Sequence, residues 1–182
     1  MVRADAMSQG PDNRALAEAV QAKAVSEIAA ADALAGGVPV AVGGAIPAPT
    51  LLVTARASAT ESEEGTALAG VAGEAAGKAL AGLGLPPEWA AVVSRQGDVP
   101  LAVMRERLGL IVEAVDPDVV IALDAEAAED VAAALGASPL RFGNPARIGG
   151  RRVLAVDGFQ ASLTDEARKR RVWRQLTALR EP

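Results

Sequence analysis

Short runs of apolar residues alternate with longer amphipathic segments along most of the chain. Continuous apolar runs of four to eight residues are typical of strands that are covered on both faces, as in parallel sheets flanked by helices. The alternation therefore predicts an α/β fold, specifically a three-layer α/β/α sandwich around a central four-stranded parallel sheet. The predicted strands are residues 51–54, 90–94, 118–123 and 152–156.

Helical periodicity predicts four helices between and after these strands, over residues 66–83, 101–115, 125–135 and 164–179, with Thr164 as the N-cap of the last. An alanine-rich helix is expected earlier, from about residue 13 to 35. Asp12 or Asn13 would be its N-cap, and the glycine pair at 36–37 would end it.

Proline and glycine are frequent in residues 38–49, a pattern that predicts a linker, or a short edge strand followed by a linker. We therefore divide the chain into residues 1–49, the N-terminal helix and linker, and residues 50–182, the α/β domain. An apolar stripe on the first helix either packs on this domain or binds another chain. Its members are Leu16, Val20, Ala24, Ile28 and Leu34.

The composition excludes several kinds of chemistry. The chain has no cysteine, which excludes disulfides, thiolate metal sites and cysteine-held iron–sulfur clusters. It also has no histidine, the commonest general base and metal ligand. We expect no cofactor and no metal site, and any catalysis would rest on carboxylates, hydroxyls, lysine, arginine or backbone groups.

The net charge of −5 is unevenly distributed. Residues 140–182 carry ten Lys/Arg against four Asp/Glu, whereas the preceding residues are strongly acidic. Such asymmetry predicts either contact with a polyanion such as DNA or a solvated last helix. The helical period prevents all five cations of that helix from facing one side. These candidate DNA contacts are Arg168, Lys169, Arg170, Arg171 and Arg174.

The N-terminus lacks the charged and apolar regions of a signal peptide, and no apolar run reaches the length of a membrane span. We expect a soluble cytoplasmic protein that does not enter membranes.

Ligand sites of parallel sheets lie at the carboxyl ends of the strands. Arg56 and Arg95 follow two predicted strands and together would bind an anion, unless each pairs with a neighbouring carboxylate. Glu61 and Glu63 form either a displaced catalytic cluster or a solvated loop, and Asp124 either lines the cleft or caps the next helix.

Ordered sequence segments between residues 51 and 179 resemble the uracil-DNA glycosylase superfamily, most of all its bacterial iron–sulfur type. The resemblance implies that superfamily's α/β fold. The matching segments are GTALAGVAG at 65–73, GLPPE at 84–88, IVEAVDPDVVIALDAEAAEDV at 111–131, GNP at 143–145 with GGRRV at 149–153, and residues 173–179.

The positions that the resemblance assigns to catalysis are replaced. Ala55 stands where the family has its water-positioning acidic residue, and Leu68 where an aromatic ring stacks on uracil. Ser94 replaces the asparagine that recognises the uracil edge, and Gly158 replaces the histidine that stabilises the uracil anion; the cluster cysteines are absent. The resemblance therefore implies a degenerate member without uracil excision.

Three functions follow as hypotheses. The first is a non-enzymatic binding protein whose partner is DNA or another protein. The second is an enzyme with a relocated site built from Arg56, Glu61, Glu63, Arg95 and Asp124. The third is an assembly role for the N-terminal helix.

Overall fold

A computed structural model describes residues 11–180 of the chain. Six strands form one sheet in the order β1-β3-β2-β4-β6-β5. The strands are β1 (Val42–Gly44), β2 (Thr50–Thr54), β3 (Trp89–Val93), β4 (Val119–Ala122), β5 (Ala146–Ile148) and β6 (Arg151–Ala155).

Seven α-helices occur in the same part of the chain, and a 3₁₀ turn over Ala178–Arg180 follows the last of them. The helices are α1 (Pro11–Leu34), α2 (Ala59–Glu64), α3 (Val71–Leu83), α4 (Leu101–Val115), α5 (Ala125–Ala134), α6 (Phe159–Ser162) and α7 (Glu166–Thr177). No helix within residues 11–180 is long and apolar enough to cross a membrane.

The sheet is mixed, which corrects the prediction of a purely parallel sheet of four strands. The four predicted strands are its parallel centre, β3-β2-β4-β6, but an antiparallel strand is added at each edge. The segment 38–49 supplies β1, so the edge-strand alternative is the one observed. The other edge strand forms a hairpin with β6 through Gly149 and Gly150, whose positive φ angles of 57° and 85° suit a two-residue turn.

Both faces of the sheet are covered by helices. Because strand side chains alternate, Leu51 and Val53 enter one core with residues of α1, α4 and α5. Leu52 of the same strand enters the other core with residues of α3, α6 and α7. The parallel strands are therefore buried on both sides, as their continuous apolar sequences predict.

The apolar stripe of α1 packs on its own domain only in part. Ala24 and Ile28 are buried on the side of the sheet that carries α4. Leu16 and Val20 are 64% and 45% exposed, and Leu34 is also exposed. The C-terminal half of the helix is thus part of the core, whereas the apolar positions of its N-terminal half remain in solvent.

Three predicted helix starts are wrong. The first helix already includes Pro11, so Asp12 and Asn13 lie inside it. Asp165 rather than Thr164 is the N-cap of α7, because its carboxylate accepts the Ala167 and Arg168 N–H groups. The predicted helix 66–83 begins only at Val71, after a turn in which residue 68 has a positive φ.

Candidate functional site

The carboxyl ends of β2, β3 and β4 bring several of the predicted site residues to one edge of the sheet. The pairing of β2 with β3 continues past the strands, where the Ser94 N–H donates to Thr54 O and the Arg95 N–H to Ala55 O. Asp124 follows β4 and contacts the same two β2 residues. The structure therefore brings these predicted residues together, and the chemistry available at this edge depends on how their side chains are paired.

Asp130 of α5 is the centre of a buried hydrogen-bond network at this edge. Its side chain is 1% exposed and accepts hydrogen bonds from Ser94 Oγ at 2.8 Å, Arg95 Nε at 2.8 Å and Arg105 Nε at 3.0 Å. Burial by itself raises the pKa of Asp130, but the hydrogen bonds from Arg95, Ser94 and Arg105 outweigh it, and the pKa is lowered. This carboxylate is ionised and fully partnered, which suits a structural anchor rather than a general base.

Glu126 bridges the two arginines that were expected to form an anion site. Its carboxylate accepts from Arg56 Nε at 2.9 Å and from Arg95 Nη1. The hydrogen bond from Arg56 is the largest cause that lowers the pKa of Glu126. Arg56 and Arg95 are thus paired with carboxylates of the protein itself, the alternative that the sequence left open.

Asp124 caps α5. One oxygen accepts the Ala127 N–H at 2.8 Å, and the other accepts Thr54 Oγ1 at 3.2 Å and the Ala55 N–H at 3.0 Å. Both oxygens of the Asp124 carboxylate are therefore engaged, one in the cap of α5 and the other in hydrogen bonds at the end of β2. This side chain thus connects the start of α5 with the end of β2.

Glu61 and Glu63 do not converge on the cleft. Glu61 is 2% exposed, and its carboxylate accepts the N–H groups of Ser58 and Leu68, the first as part of a capping box on α2. Glu63 is exposed two residues further along the same helix, a spacing at which side chains do not face each other. Within the described residues, no group of three or more carboxylates is placed to hold a metal ion.

The four positions that the resemblance assigns to catalysis present no free polar side chain in the structure. Ala55 and Leu68 are buried in the two cores, and the Ser94 hydroxyl is hydrogen-bonded to Asp130. Gly158 has a φ of 79°, and a Cβ added to it would lie 3.0 Å from Arg168 Nη1. An arginine guanidinium therefore occupies the space in front of this position.

The basic residues of α7 divide between two sides of the helix. Arg168, Arg171 and Arg174 follow one another at three-residue steps, and Arg170 lies one turn before Arg174, so the four share a broad face. Lys169 lies on the other side and lines a groove with Trp173 instead.

Three of these arginines form no ion pair in the part of the chain that the structure describes. Arg171 lies 3.2 Å from Asp157, whereas Arg168, Arg170 and Arg174 have no such partner there. The arginine surface is thus defined by Arg168, Arg170, Arg171 and Arg174 of α7.

Sequence reasoning missed Arg105, Glu126 and Asp130, which complete the strand-end network. A signal was present: residues 126 and 130 are acidic and one helical turn apart, directly after the strand end at 123. Comparisons of the chain with known protein-family models and with curated proteins found no match.

Proposed function

We propose that this chain is a non-catalytic protein of the uracil-DNA glycosylase type, an α/β/α sandwich that binds DNA through its arginine surface. One observation carries the proposal. The strand-end arginines Arg56 and Arg95 are paired with internal carboxylates, whereas Arg170 and Arg174 of α7 have no such partner among the described residues.

The contacts at the strand ends support a role without catalysis. Breaking a glycosidic bond requires a positioned base for water and a donor for the departing anion. Asp124 and Asp130 accept hydrogen bonds from the protein on both oxygens, and positions 55 and 158 carry an alanine and a glycine. Among the residues that the structure describes, neither of these two carboxylates is free to serve a relocated enzyme site.

The chemistry of the arginine surface favours phosphate as its ligand. Guanidinium groups bind phosphate oxygens through paired N–H donors and retain their charge at all relevant pH values. The rest of the chain is acidic and repels a polyanion, which orients binding towards α7. We expect contacts to the phosphate backbone without preference for sequence.

Fluorescence anisotropy with labelled single-stranded, duplex and uracil-containing DNA tests this proposal. We expect binding that weakens steeply from low to near-physiological salt, because each phosphate contact releases counterions. The Arg170→Gln/Arg174→Gln variant should bind roughly tenfold more weakly and lower the slope of log K against log salt by about 2.

The matched control is Arg14→Gln/Lys23→Gln, which removes the same charge from the exposed side of α1. This control variant should bind DNA with an affinity within about twofold of the wild type, because it changes only the net charge of the protein and leaves the arginine surface intact. Equal losses in the two variants, or no binding at low salt, would contradict the proposal.

A second candidate is assembly through α1, which the exposure of Leu16 and Val20 favours. Light scattering separates the two functions, since assembly gives a mass that rises with protein concentration and falls in a Leu16→Ser/Val20→Ser variant. DNA affinity in that variant should equal that of the wild type if the arginine surface acts alone.

A further inference from the structure

A groove of about 420 Å³ lies between α3 and α7, on the side of α7 opposite the arginine surface. Its volume is within the range of small-molecule sites. Most of its lining is apolar, and its polar groups lie on the two long helices and on α6. The lining side chains are Val71, Glu74, Ala75, Lys78, Ala79, Phe159, Ser162, Leu163, Lys169, Val172, Trp173 and Leu176.

The sequence of α3 explains why this α3–α7 groove is open. The two helices approach closely at Gly82, where an added Cβ would lie 2.8 Å from the Trp173 ring. Arg180 lies 5.7 Å from the centre of that ring and also donates to Gly82 O, which fixes this end. Away from it, Ala75 and Ala79 of α3 offer only methyl groups to the groove, which are too small to fill the space.

The floor of the groove is also loosely filled. A second, smaller void of about 10 Å³ lies beneath it and shares Ala79, Phe159 and Leu176 with the groove. The eight residues around this void are all apolar, so a buried water molecule would have no partner there.

Charge at the rim indicates the polarity of the ligand. Lys78 and Lys169 both line the groove, one from each helix, and their side chains are 82% and 63% exposed. Glu74 is the lone lining carboxylate and lies 3.9 Å from Lys78. The residues that line the groove therefore carry one net positive charge, and Glu166, which is not part of the lining, lies 3.3 Å from Lys169. The interior below them is apolar and contains an exposed indole.

We propose that the α3–α7 groove binds a small soluble amphipathic anion, with an aromatic or acyl body between the helices and an acidic headgroup beside Lys78 and Lys169. The apolar body covers Val71 and Trp173, which are exposed without it. Neither Arg170 nor Arg174 lines this groove, so the site is independent of DNA binding.

Two fluorescent probes that differ in one headgroup test the proposal: anilinonaphthalene sulfonate, which is anionic, and N-phenylnaphthylamine, which is neutral. We expect both to bind saturably at one molecule per chain and to quench Trp173 fluorescence by energy transfer. In Lys78→Gln/Lys169→Gln, the sulfonate should bind roughly three- to tenfold more weakly, while the affinity of the neutral probe stays within about twofold.

Ala75→Trp fills the groove and should abolish binding of both probes. Ala81→Trp is the matched control, because Ala81 is exposed on the same helix and does not line the groove. Circular dichroism melts verify that each variant is folded. Absence of saturable binding to the wild type, retention of binding in folded Ala75→Trp, or equal effects of the lysine changes on both probes would overturn the proposal.

Discussion

Replacing Asp130 with alanine is expected to lower the free energy of unfolding by about 3 kcal/mol, as when one partner of a buried ion pair is removed. The change leaves Arg95, whose side chain is only 12% exposed, without its main carboxylate, and it also removes the acceptor of the Ser94 hydroxyl. Urea denaturation at neutral pH measures the loss. Glu129→Ala is the control, because that carboxylate is 66% exposed and contacts Arg95 at 3.4 Å; it should cost less than about 1 kcal/mol.

The pH dependence of stability provides a second test of the same residue. Because the folded protein lowers the pKa of Asp130, the unfolded chain takes up the proton at a higher pH than the folded protein. The stabilisation is therefore complete above the ordinary carboxyl pKa of about 4 and is lost as pH falls through the lowered folded value. In Asp130→Asn, the free energy of unfolding should therefore fall less steeply as the pH is lowered below about 4. A fall as steep as that of the wild type would show that this carboxylate does not anchor the network.

Replacing Arg107 with methionine is expected to cost about 3 kcal/mol of stability and to loosen α1. The Arg107 side chain is 1% exposed, and its guanidinium donates to Val38 O at 3.2 Å and Gln96 O at 2.8 Å. It also lies 3.7 Å from Asp32, whose carboxylate accepts the Val40 N–H. The Arg107 side chain therefore connects α4 with the end of α1, with the residues that precede β1 and with the loop that follows β3.

Burial lowers the pKa of Arg107, and the charge of Asp32 opposes that effect. Without the guanidinium, the buried Asp32 carboxyl group loses the cation that lies 3.7 Å away. Urea denaturation together with hydrogen exchange measures the result, and we expect faster exchange in α1 and β1 than in the parallel centre of the sheet. Two results would contradict this role of Arg107. One is an equal change of exchange rate throughout the protein, and the other is a loss of unfolding free energy no larger than that caused by Arg14→Met on the exposed side of α1.

The parallel centre of the fold could be predicted from the sequence because its strands are continuous apolar runs separated by periodic helices. Periodicity could not define the edge strands Val42–Gly44 and Ala146–Ile148, since each is only three residues long. For the first of them, the sequence left open the choice between a linker and a short edge strand. Likewise α2 and α6, of six and four residues, are too short to display a helical period.

The sequence predicts which residues come together at the edge of the sheet, but not how their side chains are paired. Topology alone places Arg56, Arg95 and Asp124 at one edge of the sheet, as observed. The sequence does not reveal which arginine pairs with which carboxylate. Asp130 lies 35 residues from Arg95 along the chain, and the two side chains come into contact only because α5 packs on the sheet. The same limit applies to Glu61, whose partner Leu68 N–H depends on the turn between α2 and α3.

The proposed function, DNA binding without base excision, rests on the strand-end network and the arginine surface together. At the strand ends, cations and carboxylates of the chain satisfy one another, so a flipped base would have to displace internal ion pairs to find polar partners. On α7, Arg170 and Arg174 remain free of internal carboxylates in the part of the chain that the structure describes. We therefore expect DNA to be held at the surface without entry of a base into the edge of the sheet.

The most direct test of this account is a single-turnover excision assay on uracil-containing single-stranded and duplex DNA. The protein is in excess, at concentrations where anisotropy on the same sample shows that the DNA is saturated. We predict bound DNA with no release of uracil and no abasic sites above the level of the protein-free control. Accumulation of abasic sites in proportion to bound DNA would contradict the account, since it would require a working base and donor at the strand ends.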